Sequence, residues 1–162
     1  MNINENTLEF NANIEDLPCI CEAVTEAARE CGMDARCVWK LEVSMDEACT
    51  NIVSYGYKDN PGGRIWLKWQ CDGDVFTITI EDEGIEFDQT KPTNPDFNAK
   101  LCDRKPGGLG RYIMREFMDH LEYKRQNNRN IVTLTKRLSE QCECEPEQCE
   151  CEPEAAIKTK TA

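Results

Sequence analysis

The sequence predicts an α+β domain: a two-layer sandwich with helices packed on one face of a mixed, largely antiparallel sheet. Three observations lead there. Three stretches keep the three-to-four-residue apolar spacing of amphipathic helices, while five others alternate apolar and polar residues as half-buried strands do. Their order is strand, two helices, two strands, a long loop, helix, two strands, which is not the regular alternation of a doubly wound fold. Beyond Leu138 the only large apolar residue is Ile157, so one domain over residues 1–138 accounts for the core.

Each element has its own signal. TLEFNA, residues 7–12, reads as a short strand. Asp16 is placed to cap a helix over Leu17–Glu30, with Leu17, Ile20, Val24, Ala27 and Ala28 on one face and Gly32 as its stop. Asp34 caps a longer helix, residues 35–57, along which Val38, Leu41, Met45, Ala48, Cys49, Ile52 and Tyr55 keep helical spacing. Asp59-Asn60-Pro61-Gly62-Gly63 breaks it. RIWLKWQC and VFTITIED then read as strands joined across Asp72-Gly73-Asp74. Residues 84–106 show no periodicity, and an aperiodic loop of that length inside a compact domain is usually functional or mobile. A glycine-led helix follows, its apolar face carrying Ile113, Met114, Phe117, Met118 and Leu121. Two last strands, 122–126 and 130–137, pair across Asn127-Asn128-Arg129.

Charge and cysteine content narrow the function classes. With 19 basic against 31 acidic residues, the net charge of −12 argues against direct nucleic-acid binding or docking on an anionic membrane. No run of about 18 apolar residues marks a membrane span. The N-terminus MNINENTLEF shows neither a basic nor an apolar signal region, so the cytoplasm is the expected compartment. Of 11 cysteines, seven are scattered through residues 1–138, where reduced thiols that pack as small apolar residues are expected. The other four, Cys142, Cys144, Cys149 and Cys151, crowd into residues 139–162. That Glu- and Pro-rich stretch has no aromatic residue to anchor it and is expected to be a disordered tail. Its two C-x-C pairs leave open a soft-metal site, although the spacing is tighter than usual and the flanking Glu residues oppose thiolate formation.

Three short constellations carry chemistry. On the long helix Glu47 and Asn51 lie four apart, on a face shared with Ser44, and offer a proton acceptor and a hard oxygen ligand. Alone, the pair reads more simply as a solvated polar stripe. Asp82 closes an apolar strand with Gly84 two residues on, a carboxylate beside backbone open to close approach. Alone, it is an acidic turn. Gly107, Gly108 and Gly110 precede a helix with Leu109, Arg111 and Lys105 among them, a setting in which backbone N–H groups face an anion. A flexible helix start fits those glycines equally well.

In this order and at these separations the three resemble the N box, G1 box and G2 box of the GHKL (Bergerat) ATP-binding fold. EVSMDEACTNIVSYGYK, DEGIEFD and GGLGRYIMREFMD are most similar to the bacterial anti-sigma factor serine-protein kinases, over roughly residues 5–138. The resemblance implies ATP with Mg²⁺. Asn51 then matches the residue that ligates the Mg²⁺ on the phosphates, and Glu47 the catalytic acid that orients or deprotonates the attacking group. Asp82 matches the acceptor of the adenine amine, with Gly84 beside it. Gly107, Gly108 and Gly110 match the lid glycines, with Lys105, Leu109 and Arg111 beside them, and residues 85–106 become the lid. Thr133 matches a strand threonine that reaches adenine through water; Thr135 has equal claim. It implies a kinase that phosphorylates a STAS-type anti-anti-sigma protein, sequesters a sigma factor and forms a homodimer. A nucleotide-gated binding module with little transfer is the alternative. His120, outside any dimerisation-helix context, is expected on the surface near a helix end.

Overall fold

The computed structural model describes residues 2–4, 6–58, 62–92 and 109–140. Six strands form one sheet in the order β1-β2-β3-β4-β6-β5: β1 (Asn2–Asn4), β2 (Thr7–Asn11), β3 (Arg64–Asp72), β4 (Val75–Asp82), β5 (His120–Gln126) and β6 (Arg129–Arg137). Every pairing among the described strands is antiparallel, so the parallel component allowed for in the mixed sheet is absent there. Helices α1 (Leu17–Glu30), α2 (Ala35–Asn51) and α3 (Leu109–Phe117) pack on one face.

Period-two alternation decides what each strand gives the core. Leu8 and Phe10, Ile65 and Leu67, Phe76, Ile78 and Ile80, and Val132 and Leu134 turn inward and are nearly fully buried. They meet Ile20, Val24 and Ala28 of α1, Leu41, Met45 and Ala48 of α2, and Met114 of α3. Burying each large apolar side chain contributes about 2 kcal/mol. The opposite face stays half-open and polar, with the Arg129 guanidinium 4.1 Å over the Trp66 ring.

Several boundaries differ from expectation for identifiable reasons. Asp34 caps α2 as expected, accepting from Cys37 N at 2.7 Å, but Asp16 sits in helical backbone and makes no side-chain cap. The long helix is not uniform. After Asn51 it widens into a π-helical run, Ile52–Gly56, with Tyr57 N bonded to Ile52 O at 3.0 Å. Leu121 is not on a helix face: Asp119 N bonds Thr135 O at 3.0 Å, and Asp119 Oδ2 accepts from Arg137 N at 2.7 Å, so the chain joins the sheet there. His120 is accordingly an exposed strand residue. The final hairpin turns on two residues rather than three, because Asn127 and Asn128 tolerate φ of 51° and 62°.

The domain also reaches past Leu138. Glu140, assigned by composition to the tail, sits 2.5 Å from both Lys40 Nζ and the buried Lys136 Nζ, and its backbone N bonds Asp34 Oδ2 at 3.3 Å. Those contacts hold its carboxyl down at about 2. The remainder of the tail, with its four cysteines, lies outside the described residues. Of the described cysteines, Cys21, Cys37 and Cys49 are buried as expected, whereas Cys19 and Cys71 are exposed. Burial pushes Cys21 up to about 12 and Cys37 to about 11, which disfavours reactive thiolates.

Candidate functional site

The start of α3 packs on the C-terminal half of α2 at Glu47, and the π-helical run that continues α2 meets the segment at the end of β4. Glu47 and Asn51 stand one turn apart on α2, both half-buried. Glu47 faces α3 so closely that a Cβ on Gly110 would fall 1.8 Å from its Oε2, so a larger residue there would push the Glu47 carboxylate aside. Burial, with a smaller push from Asp46, lifts the Glu47 carboxyl above its ordinary value. That direction suits a base. Ser44, on the same predicted face, is instead fully buried and donates to Lys40 O at 2.8 Å.

Asn51 donates through Nδ2 to Gln89 Oε1 at 3.2 Å. Gln89 belongs to the segment after β4 and is 2% exposed. Its acceptor fixes the amide, so the Asn51 oxygen is the group left for a cation. Among the described residues no cluster of three or more His, Cys, Asp or Glu is placed to hold a metal. A carboxamide oxygen beside one carboxylate suits Mg²⁺, which takes few protein ligands when phosphates supply the rest.

Asp82 is 2% exposed at the end of β4. Gly84 N and Asn130 Nδ2 each donate to its Oδ1 at 2.8 Å. Burial raises its carboxyl above the ordinary value, and these two bonds, with the field of Arg125, pull it back only in part. The π-helical run brings Gly56 against this segment. Gly56 O accepts from Ile85 N at 2.9 Å, and a Cβ on Gly84 would lie 2.6 Å from that carbonyl oxygen. π-Helical turns are frequent at functional sites, and this one brings helix and strand end into contact. Tyr57 follows, its hydroxyl donating to Arg64 O at 2.6 Å and accepting from Glu83 N at 2.8 Å.

Of the glycine-led constellation, Leu109, Gly110 and Arg111 are described; Lys105, Gly107 and Gly108 lie outside the described residues, as does most of the expected lid. Leu109 is half-exposed. The Arg111 guanidinium lies 5.5 Å over the Phe87 ring and, with Lys91, lines a cavity of about 450 Å³.

Thr133 does not join the site. It pairs with Thr79 and Glu122 on the face away from the helices, and Thr135, against Thr77, shares that face. The residue of β6 that meets Asp82 is Asn130, directly across the ladder. Sequence reasoning missed it, although alternation from Val132 and Leu134 puts Asn130 inward, and a polar residue at an inward position is itself a signal. Gln89 carried no such signal in an aperiodic stretch.

Known proteins resemble this chain in sequence and in fold. The family model described as "Histidine kinase-like ATPase domain" matches residues 10–136. Serine/threonine-protein kinase BtrW of Bordetella bronchiseptica is 35% identical over 101 residues, 62% of this chain and 71% of that protein. Serine-protein kinase RsbW of Bacillus subtilis is 32% identical over 104 residues, 61% and 64% of the two chains. The anti-sigma F factor of Heyndrickxia coagulans is 34% identical over 98 residues, 59% and 66%. The chain thus spans about two thirds of the length of these curated relatives. Among solved structures, a blue-light activated histidine kinase of Erythrobacter litoralis EL346 shares the fold at a TM-score of 0.50 and 20% identity, over 67% of this chain and 33% of that one. No helix among the described residues is long and apolar enough to cross a membrane.

Proposed function

The chain belongs to the histidine kinase-like ATPase domain family, in the branch of serine/threonine-protein kinases and anti-sigma factors, and on that premise we propose that it transfers the γ-phosphoryl group of ATP to a serine of a STAS-type anti-anti-sigma partner and sequesters a sigma factor. The observation that carries this reading is Gly110 packed onto Glu47, one turn from Asn51, with the buried Asp82 held against Gly56 where the same helix runs on.

When bound, ATP with its Mg²⁺ supplies the phosphoryl group and neutralises its charge. Asn51 offers its oxygen to the cation. Glu47, lifted toward a working base, takes the proton of the attacking serine hydroxyl. Asp82 accepts from the adenine amine, and Gly84 keeps the backbone low enough for the base to approach. The amides of Gly107, Gly108 and Gly110 hold the phosphates, with Lys105 and Arg111 adding positive charge. We place the protein in the cytoplasm as a homodimer, a state that sedimentation checks directly.

The second reading, a nucleotide-gated sequestering module with little transfer, draws on the bond from Asn51 to Gln89, which already engages the Asn51 amide. Incubating the protein with γ-labelled ATP and a candidate STAS protein separates the two. Label on a serine of the partner, lost in Glu47→Gln, supports the kinase. Nucleotide binding with no labelled partner contradicts it.

A further inference from the structure

Asn130 is the polar residue that β6 turns inward where every other inward position up to Leu134 is apolar. Both ends of its amide are occupied. The Oδ1 atom accepts from Arg125 NH1 at 2.6 Å and from Tyr123 OH at 2.9 Å. The Nδ2 atom donates to Asp82 Oδ1 at 2.8 Å and to Ile85 O at 3.0 Å. A guanidinium has only donors, so the amide cannot turn over without setting N–H against N–H. Arg125 is itself held by Asn128 Oδ1 at 2.9 Å and by Gly84 O at 3.3 Å, with Glu86 3.8 Å from its Nε.

The consequence falls on Asp82. Gly84 N and Asn130 Nδ2 both address one oxygen, Oδ1, which fixes the rotation of the carboxylate. Among the described residues Oδ2 receives no hydrogen bond, so it is the oxygen left for a ligand's donor. We infer that Asn130, locked by Arg125 and Tyr123, is a positioning residue that aims Asp82 Oδ2 at the exocyclic amine of the bound purine and so sets base selectivity. This rests on the adenine reading of Asp82 above. It concerns a different residue and a different property, selectivity rather than affinity. An amide that merely satisfies a buried carboxylate would steady the strand end and leave selectivity alone.

The test compares ADP with purine riboside 5′-diphosphate, which lacks only the 6-amino group, by calorimetry at pH 8 on the full chain. The wild type is expected to prefer ADP by about 10-fold or more, the scale of a hydrogen bond to a charged acceptor. In Asn130→Ala that preference is expected to fall below about 3-fold, with affinity for the amino-less nucleotide within about 3-fold of wild type. Arg125→Met, at the rim, is expected to lose part of the preference in the same way, and it carries the test if Asn130→Ala does not fold. A folded variant that weakens both nucleotides equally, leaving the ratio at the wild-type value, overturns the positioning role while the adenine reading stands. A wild-type ratio near one overturns the adenine reading and, with it, the inference.

Discussion

Two buried polar clusters sit at opposite ends of the same β4–β6 ladder, on the same inward face, and they are built on opposite electrostatic plans. At one end Lys136, 2% exposed, meets Glu140 at 2.5 Å and Asp119 at 3.5 Å, with Lys40 closing the group. Charges pair, and Glu140 is held at about 2. Burial alone lowers the Lys136 pKa, yet Glu140 and Asp119 leave it raised. At the other end Asp82 is equally buried but meets an amide and a backbone N–H rather than a cation. Its carboxyl is raised, not lowered. Each end carries a desolvation cost, but only the first offsets it with opposite charge within the fold. The second keeps an acceptor in reserve, which is what a ligand-binding carboxylate requires and what a structural one avoids.

The largest expected effect breaks the paired end. Glu140→Ala leaves Lys136 with Asp119 alone, and the loss of a buried partner is expected to cost about 3 kcal/mol, a fall of about 10 °C in Tm. A chain ended at Leu138 is expected to show the same loss, while one ended at Glu140 melts like the full chain. Composition places Glu140 in a disordered tail, and its contacts with Lys40, Lys136 and Asp34 set that expectation aside for this residue. Glu47→Gln sharpens the ligand end: nucleotide affinity is expected to hold while phosphoryl transfer falls about 100-fold or more in single-turnover assays. Asp82→Asn separates the two plans. It replaces a buried carboxyl that has no cationic partner at hydrogen-bond distance, so Tm is expected to stay level or rise, by up to about 1 kcal/mol in stability, even as the site is impaired.

The smallest effect is in the pH profile. Glu140 is lowered from its ordinary 4.5 to about 2, so its contribution to stability is complete above 4.5 and is lost as pH falls through 2. Asp82 is raised above its ordinary 3.8, so its contribution is present below 3.8 and is lost as pH rises through the folded value. Melts between pH 2 and 7 are expected to lose part of their acid limb in Glu140→Gln. In Asp82→Asn, stability gains relative to wild type as pH rises from 3.8.

What was legible in the sequence follows from which signals are local. The bounds of α1, the Asp34 cap and the Gly73 turn depend on neighbouring residues, and all three appear in the structure. The spacing of Glu47 and Asn51 is local too, and so is Asp82 at a strand end. Gln89 on Asn51 and Glu140 on Lys40 join residues 38 and 100 apart, and no periodicity reports on them. The π-helical run was hidden because Ile52 and Tyr55 continue the helical spacing. Thr133 is a different case. Period-two alternation from Val132 already puts it on the open face, and carrying a role over by resemblance overrode that reading.

Asp82, with no cation at hydrogen-bond distance and both of its donors on one oxygen, is expected to read the adenine amine. Calorimetric titration of ATP and GTP into the wild type and Asp82→Asn tests it most directly. A clear preference for ATP is expected in the wild type, since the guanine carbonyl meets the carboxylate acceptor to acceptor. A loss of about 1–3 kcal/mol in ATP binding is expected on substitution. Equal wild-type affinities for ATP and GTP would contradict it.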